Sequence, residues 1–150
     1  MKLFDGVPDL EKAVGTHLGY SDWHTIDQAQ IGAFATATGD HQWIHIDPEQ
    51  AAKGPFGATI AHGFLVLSLL PILCWQVYDV VGVTMSINYG ADKVRFPSPV
   101  PVDSRVRAGV ELMAVSPNST GSKVSTRVTI EREGSDKPVC VADMLSIMVP

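Results

Sequence analysis

Asp40 and His45 stand five residues apart in the run Gly39-Asp40-His41-Gln42-Trp43-Ile44-His45-Ile46-Asp47-Pro48. That offset does not place both side chains on one helix face, but a loop can fold them toward one point. A carboxylate beside an imidazole can hold a water molecule between them, take its proton as it attacks, and return a proton to the neighbouring carbon. Hydration of a polarised double bond needs that combination. By spacing alone, an Asp that caps a turn beside a surface His accounts for the same residues. His41 and His45 also share the i, i+4 spacing of helical zinc sites. Against zinc, Gln42 stands where a zinc peptidase needs Glu, Asp47-Pro48 breaks the required helix, and no third ligand is evident, so no metal is expected.

A second chemical segment is Thr59-Ile60-Ala61-His62-Gly63-Phe64, which leads from an extended stretch into an apolar helix. Free N–H groups at a helix start can hold an anion or a developing enolate oxygen, and glycine lets a substrate approach the main chain closely. A Gly required only by the turn fits the same pattern. His62 reads as a packed or capping histidine rather than as a base.

These residues need elements to hold them. Thr25 with Gln28 forms a capping-box pattern, and Ile26, Ala29, Ala33, Phe34 and Ala37 recur at helical spacing until Gly39, which predicts a helix over 26–38. Asp47-Pro48-Glu49-Gln50 starts another helix that Gly54-Pro55 closes after little more than one turn. Asp40 to Ile46 is then a short loop. A long apolar helix is predicted over 63–80, bent by Pro71 and enclosed on all sides. Strands are expected over 83–89, 93–96, 104–115, 123–131 and 139–148. Val106, Ala108, Val110 and Leu112 alternate with Arg105, Arg107, Gly109 and Glu111, the pattern of a sheet wet on one face. The economical packing is an α+β domain in which an antiparallel sheet curls around one buried helix.

The 150 residues carry no composition break or repeat, so one domain over 1–150 is expected. A net charge of −5 without a Lys/Arg run argues against nucleic-acid binding. Cys74 and Cys140 lie in apolar runs and read as buried thiols of a reducing compartment. The first 15 residues hold no continuous apolar stretch of the kind a secretory signal needs, so the cytoplasm is the expected location. Phe64 to Val77 spans 14 residues, whereas a membrane helix needs about 20.

The run Phe34-x3-Thr38-Gly39-Asp40-x-Gln42-x-Ile44-His45-x-Asp47-Pro48, with Ile60-Ala61-His62-Gly63-Phe64-Leu65 after it, resembles the MaoC-like, (R)-specific enoyl-CoA hydratase family. Asn88-Tyr89-Gly90 and Val94-Arg95-Phe96-x-x-Pro99-Val100 are similar to the same family's strand motifs. Gln42-Trp43 departs from the usual Asn-Pro, a change that bears on loop shape and pocket rather than on the acid/base pair. The resemblance implies a hot-dog fold, a curved antiparallel sheet wrapped around a long central helix, paired into a homodimer with sites near the interface. It implies reversible addition of water to trans-2-enoyl-CoA, giving (3R)-3-hydroxyacyl-CoA, without metal or separate cofactor, on acyl-CoA or acyl-carrier-protein thioesters. Carried over by position, Asp40 and His45 activate the water and the Gly63 N–H binds the thioester oxygen. Ile60, Ala61, His62, Ser86, Asn88 and Tyr89 line the acyl-pantetheine tunnel. Lys93 and Arg95, on one strand face, reach CoA phosphates or are ordinary solvated charges.

Two other functions share such a pocket. A hot-dog thioesterase would aim water at the carbonyl carbon and release free CoA thiol. A non-catalytic acyl-thioester binding module, suggested by the altered Gln42-Trp43 loop, would bind without turnover.

Overall fold

A computed structural model describes residues 1–150. The chain runs β1 (Lys2–Phe4), α1 (Val7–Glu11), β2 (His17–Tyr20), β3 (His24–Ile26), α2 (Gln28–Thr38), α3 (Trp43–Ile46) and α4 (Pro48–Ala52). It continues with α5 (Gly63–Ser68), α6 (Leu70–Val77), β4 (Tyr78–Val80), β5 (Met85–Arg95), β6 (Ser104–Asn118), β7 (Gly121–Arg132) and β8 (Cys140–Val149).

The four long strands arise where period-two alternation is sustained. Val106, Ala108, Val110 and Leu112 on β6, and Val124, Val128 and Ile130 on β7, are almost wholly buried. Arg105, Arg107 and Glu111 stay at least partly exposed on the other face of β6. The sheet is antiparallel, ordered β2-β6-β7-β8-β5, with β3 pairing β6 beyond the end of β2. The apolar face of the sheet packs on the helices through Leu65, Val66, Leu70, Leu73 and Val77. Fully burying a side chain of that size contributes roughly 1.5–3 kcal/mol. The fold is thus the expected curved sheet around a helical layer.

The structure revises several details. Thr25 is not a cap, because it lies in β3 opposite Arg105. Asp27 caps α2 instead, its carboxylate accepting the Gln30 N–H at 2.8 Å. Asp47 does cap α4, accepting the Gln50 N–H at 2.9 Å.

The helix expected over 63–80 is two helices that meet at Leu69, and residues 78–80 form β4, parallel to β1. Pro71 has no N–H to continue the ladder and sits in the first turn of α6, where none is needed. Nor is this layer enclosed on all sides. Phe64, Ile72 and Trp75 are 70, 50 and 63% exposed, because the sheet covers only one side of it.

The strands expected over 83–89 and 93–96 form one strand, β5, with irregularities between Asn88 and Gly90 and between Asp92 and Arg95. β5 is an edge strand, paired only with β8 and exposed along nearly its whole length. Both cysteines are free, Cys140 buried and Cys74 half-buried. No helix is long and apolar enough to cross a membrane.

Candidate active site

Three elements converge on one point. Gly39 ends α2 in a left-handed conformation (φ 82°), with its N–H on the Ala35 carbonyl, and so turns the chain out to Asp40. The Asp40 carboxylate accepts the Gln42 N–H at 3.3 Å, which shapes its own loop. The segment expected to be loop through Ile46 then winds one helical turn, α3, capped at Gln42, and this turn carries His45 inward. Such a turn satisfies backbone groups that would otherwise be stranded near the buried His45 ring. The substituted pair has a place here, since the Trp43 ring lies so close to Gly54 that a Cβ on Gly54 would meet it at 2.9 Å.

The third element is the extended stretch before α5. The Ile60 N–H donates to the Ile44 carbonyl at 2.9 Å, the Ala61 N–H to the Val100 carbonyl at 2.8 Å, and the Val102 N–H to the Thr59 carbonyl at 2.9 Å. Thus pinned, the Ile60 carbonyl faces His45 Nδ1 at 2.7 Å. A carbonyl only accepts, so Nδ1 carries the proton and Nε2 keeps its lone pair. Burial is the main cause holding the His45 imidazole below its ordinary proton affinity. The Ile60 carbonyl opposes this, nearby His62 lowers the affinity further, and Asp40 raises it. The neutral, base-competent form is therefore favoured.

Asp40, His45 and His62 each bring a ligand-type atom within 4.8 Å of the others. The two imidazoles are stacked, centroids 3.8 Å apart and planes 23° apart. Planes so nearly parallel at that separation leave no point in both rings at metal-bonding distance, about 2.0–2.1 Å for Zn–N. The arrangement suits a water between Asp40 and His45 better than an ion shared by both histidines. His41 is exposed and outside the cluster.

Asp40 opens on a cavity of about 500 Å³ bounded by Phe34, Thr38, Phe64, Leu67 and Ser68. Gly63 faces a second cavity of about 290 Å³ that includes Ile60, Ala61 and Phe96. As the first residue of α5, Gly63 has no intrahelical acceptor for its N–H. His62, which precedes it, packs rather than caps, and its side chain makes no cap hydrogen bond.

Ser86 and Asn88 are not beside the dyad within one chain. They line a separate cleft of about 360 Å³ between α6 and the sheet, with Trp75 and Met144 among its walls. Tyr89 is 65% exposed. Lys93 and Arg95 do not share a face by simple alternation, because the irregularity between Asp92 and Arg95 interrupts the pleat and Lys93 has φ 53°. Arg95 Nη1 donates to the Val94 carbonyl at 2.7 Å.

Two supporting residues escaped sequence reasoning. Gln28 Nε2 donates to the His45 carbonyl at 2.8 Å, and the Thr59 hydroxyl donates to Gln28 Oε1. In the local sequence Gln28 reads as part of a capping pattern, and no local signal marks a tie that spans 31 residues.

Residues 9–134 match the family model described as the MaoC like domain. The chain is 56% identical over 146 residues to the 3-hydroxyacyl-thioester dehydratase Z of Mycobacterium tuberculosis, covering 97% of each chain. It is 34% identical over 100 residues to the (R)-specific enoyl-CoA hydratase of Aeromonas caviae, covering 67% of this chain and 72% of that one. Among solved structures, the A. caviae (R)-hydratase involved in PHA biosynthesis superposes with a TM-score of 0.74 at 26% identity, covering 91% of this chain and 96% of that one.

Proposed function

The chain belongs to the MaoC-like dehydratase family and is a hydro-lyase of acyl thioesters, and we propose that it reversibly adds water to trans-2-enoyl-CoA, giving (3R)-3-hydroxyacyl-CoA, with Asp40 and His45 at the water. The observation that carries the reading is the fixed His45 tautomer. Nδ1–H is committed to the Ile60 carbonyl, which leaves Nε2 free as a base near Asp40, and Asp40 in turn lines a cavity of about 500 Å³.

In the hydration direction His45 Nε2 takes a proton from the water as the oxygen bonds to the β-carbon. The electron pair of the double bond moves to an enolate whose oxygen is held by the Gly63 N–H, and the His45 imidazolium then returns the proton it took to the α-carbon, which regenerates the neutral base. Asp40 orients the water through its second hydrogen and stabilises the imidazolium while it exists. No metal takes part in this scheme, and CoA enters only as part of the substrate.

The working unit is proposed to be a homodimer joined through the exposed edge of β5. An unpaired, exposed edge strand is a liability that a two-fold pairing removes.

Loss of the conjugated-thioester absorbance of crotonyl-CoA, without release of free CoA thiol, is the expected assay result. Thiol release from saturated acyl-CoA would favour a thioesterase instead, and tight binding without turnover a binding module.

A further inference from the structure

We propose that His62 is a positioning residue whose Nε2–H sets the Asp40 loop against the His45 ring. The proposal rests on the hydratase reading of the site. His62 is 3% exposed and makes two contacts that matter. Its Nε2 lies 3.0 Å from the Asp40 carbonyl oxygen, so Nε2 must carry the hydrogen. Its ring stacks on His45 at 3.8 Å. It also directly precedes Gly63, so a single side chain is tied to the carboxylate loop, the base and the start of α5.

The other nitrogen, Nδ1, is buried without any partner. An orphaned polar atom is costly, and a residue serving only to fill space would not carry one, since Phe would stack as well. What His adds over Phe is the donor to the Asp40 carbonyl. What it adds over Gln is the flat ring that fixes the plane of His45.

The test begins with the unmodified protein. Long-range proton–nitrogen correlation spectra of the neutral imidazoles should find His62 as the Nε2–H tautomer and His45 as the Nδ1–H tautomer. A neutral His62 that carries its proton on Nδ1 would overturn the proposal. His62→Gln keeps a donor for the Asp40 carbonyl and loses the stack, while His62→Phe does the reverse. Each should lower kcat about tenfold or more and leave KM for crotonyl-CoA within about threefold. Wild-type kcat in both variants would also overturn it. Should the wild-type protein not hydrate crotonyl-CoA, the hydratase reading fails. The tautomer would still decide the role of His62, and the wild-type spectra decide it if neither variant folds.

Discussion

The Nδ1 of His45 and the carbonyl oxygen of Ile60 lie 2.7 Å apart, and this contact determines which imidazole nitrogen is free to work. Its expected consequence is that His45→Gln and Asp40→Asn each lower kcat by about 10² or more while the fold persists. Because both groups would act on one water, the double variant should be little worse than the poorer single one. Crotonyl-CoA kinetics beside a thermal melt measure this. Two losses that multiply would mean that the side chains act separately.

Burial holds His45 below its ordinary value of 6.5, so its base form persists on acidification past that point. The acid limb of kcat/KM should therefore lie below pH 6.5. The same group makes the unfolded chain bind more protons than the native one in the window just under pH 6.5. Its contribution to stability is then complete above the window and is lost as the pH falls through it. A pH–rate profile with its acid midpoint at or above 6.5 would contradict the assignment of His45 as base.

At Gly63 a Cβ would meet the Phe96 ring at 3.0 Å, closer than ordinary contact. Phe96 is 40% exposed and in edge contact with Phe64, so its ring can swing outward rather than force the backbone apart. Gly63→Ala is expected to cost activity, about tenfold or more, with only a small loss of stability. Adding Phe96→Leu should restore part of the activity if crowding is the cause. Full activity in Gly63→Ala would remove the Gly63 main chain from the proposed oxyanion role.

Exhaustive chelation should leave turnover unchanged, since the stacked planes of His45 and His62 do not converge on an ion. Stoichiometric zinc in the purified protein, with activity lost on its removal and regained on its return, would refute that expectation.

A homodimer through β5 should sediment at twice the chain mass of 16.1 kDa at micromolar concentration. A charged residue at Ile87, which is 42% exposed on this edge strand, should weaken it. A fully active monomer under those conditions would exclude the shared-interface arrangement.

The sequence by itself determined the elements that have long periods or local chemistry. Alternation on β6 and β7 survives in the structure because each inward residue is buried by the same helical layer. Asp47 caps α4 because a cap needs only a side chain and an N–H three residues on. The order of the Asp40, His45 and Gly63 motifs sufficed for the family.

Tertiary structure alone decided the rest. Strands β1, β3 and β4 are three residues each, too short to show a period, and exist because partners distant in the chain complete their hydrogen bonds. Whether the apolar helical layer is covered on every side depends on what packs there, which no composition reveals. Above all, His62 lies 22 residues from Asp40 in the chain and is read from local sequence as a packed or capping residue. Its place against the dyad follows from the backbone ladder that pins residues 59–61 between Ile44 and residues 100–102, contacts that exist only once the chain has closed on itself.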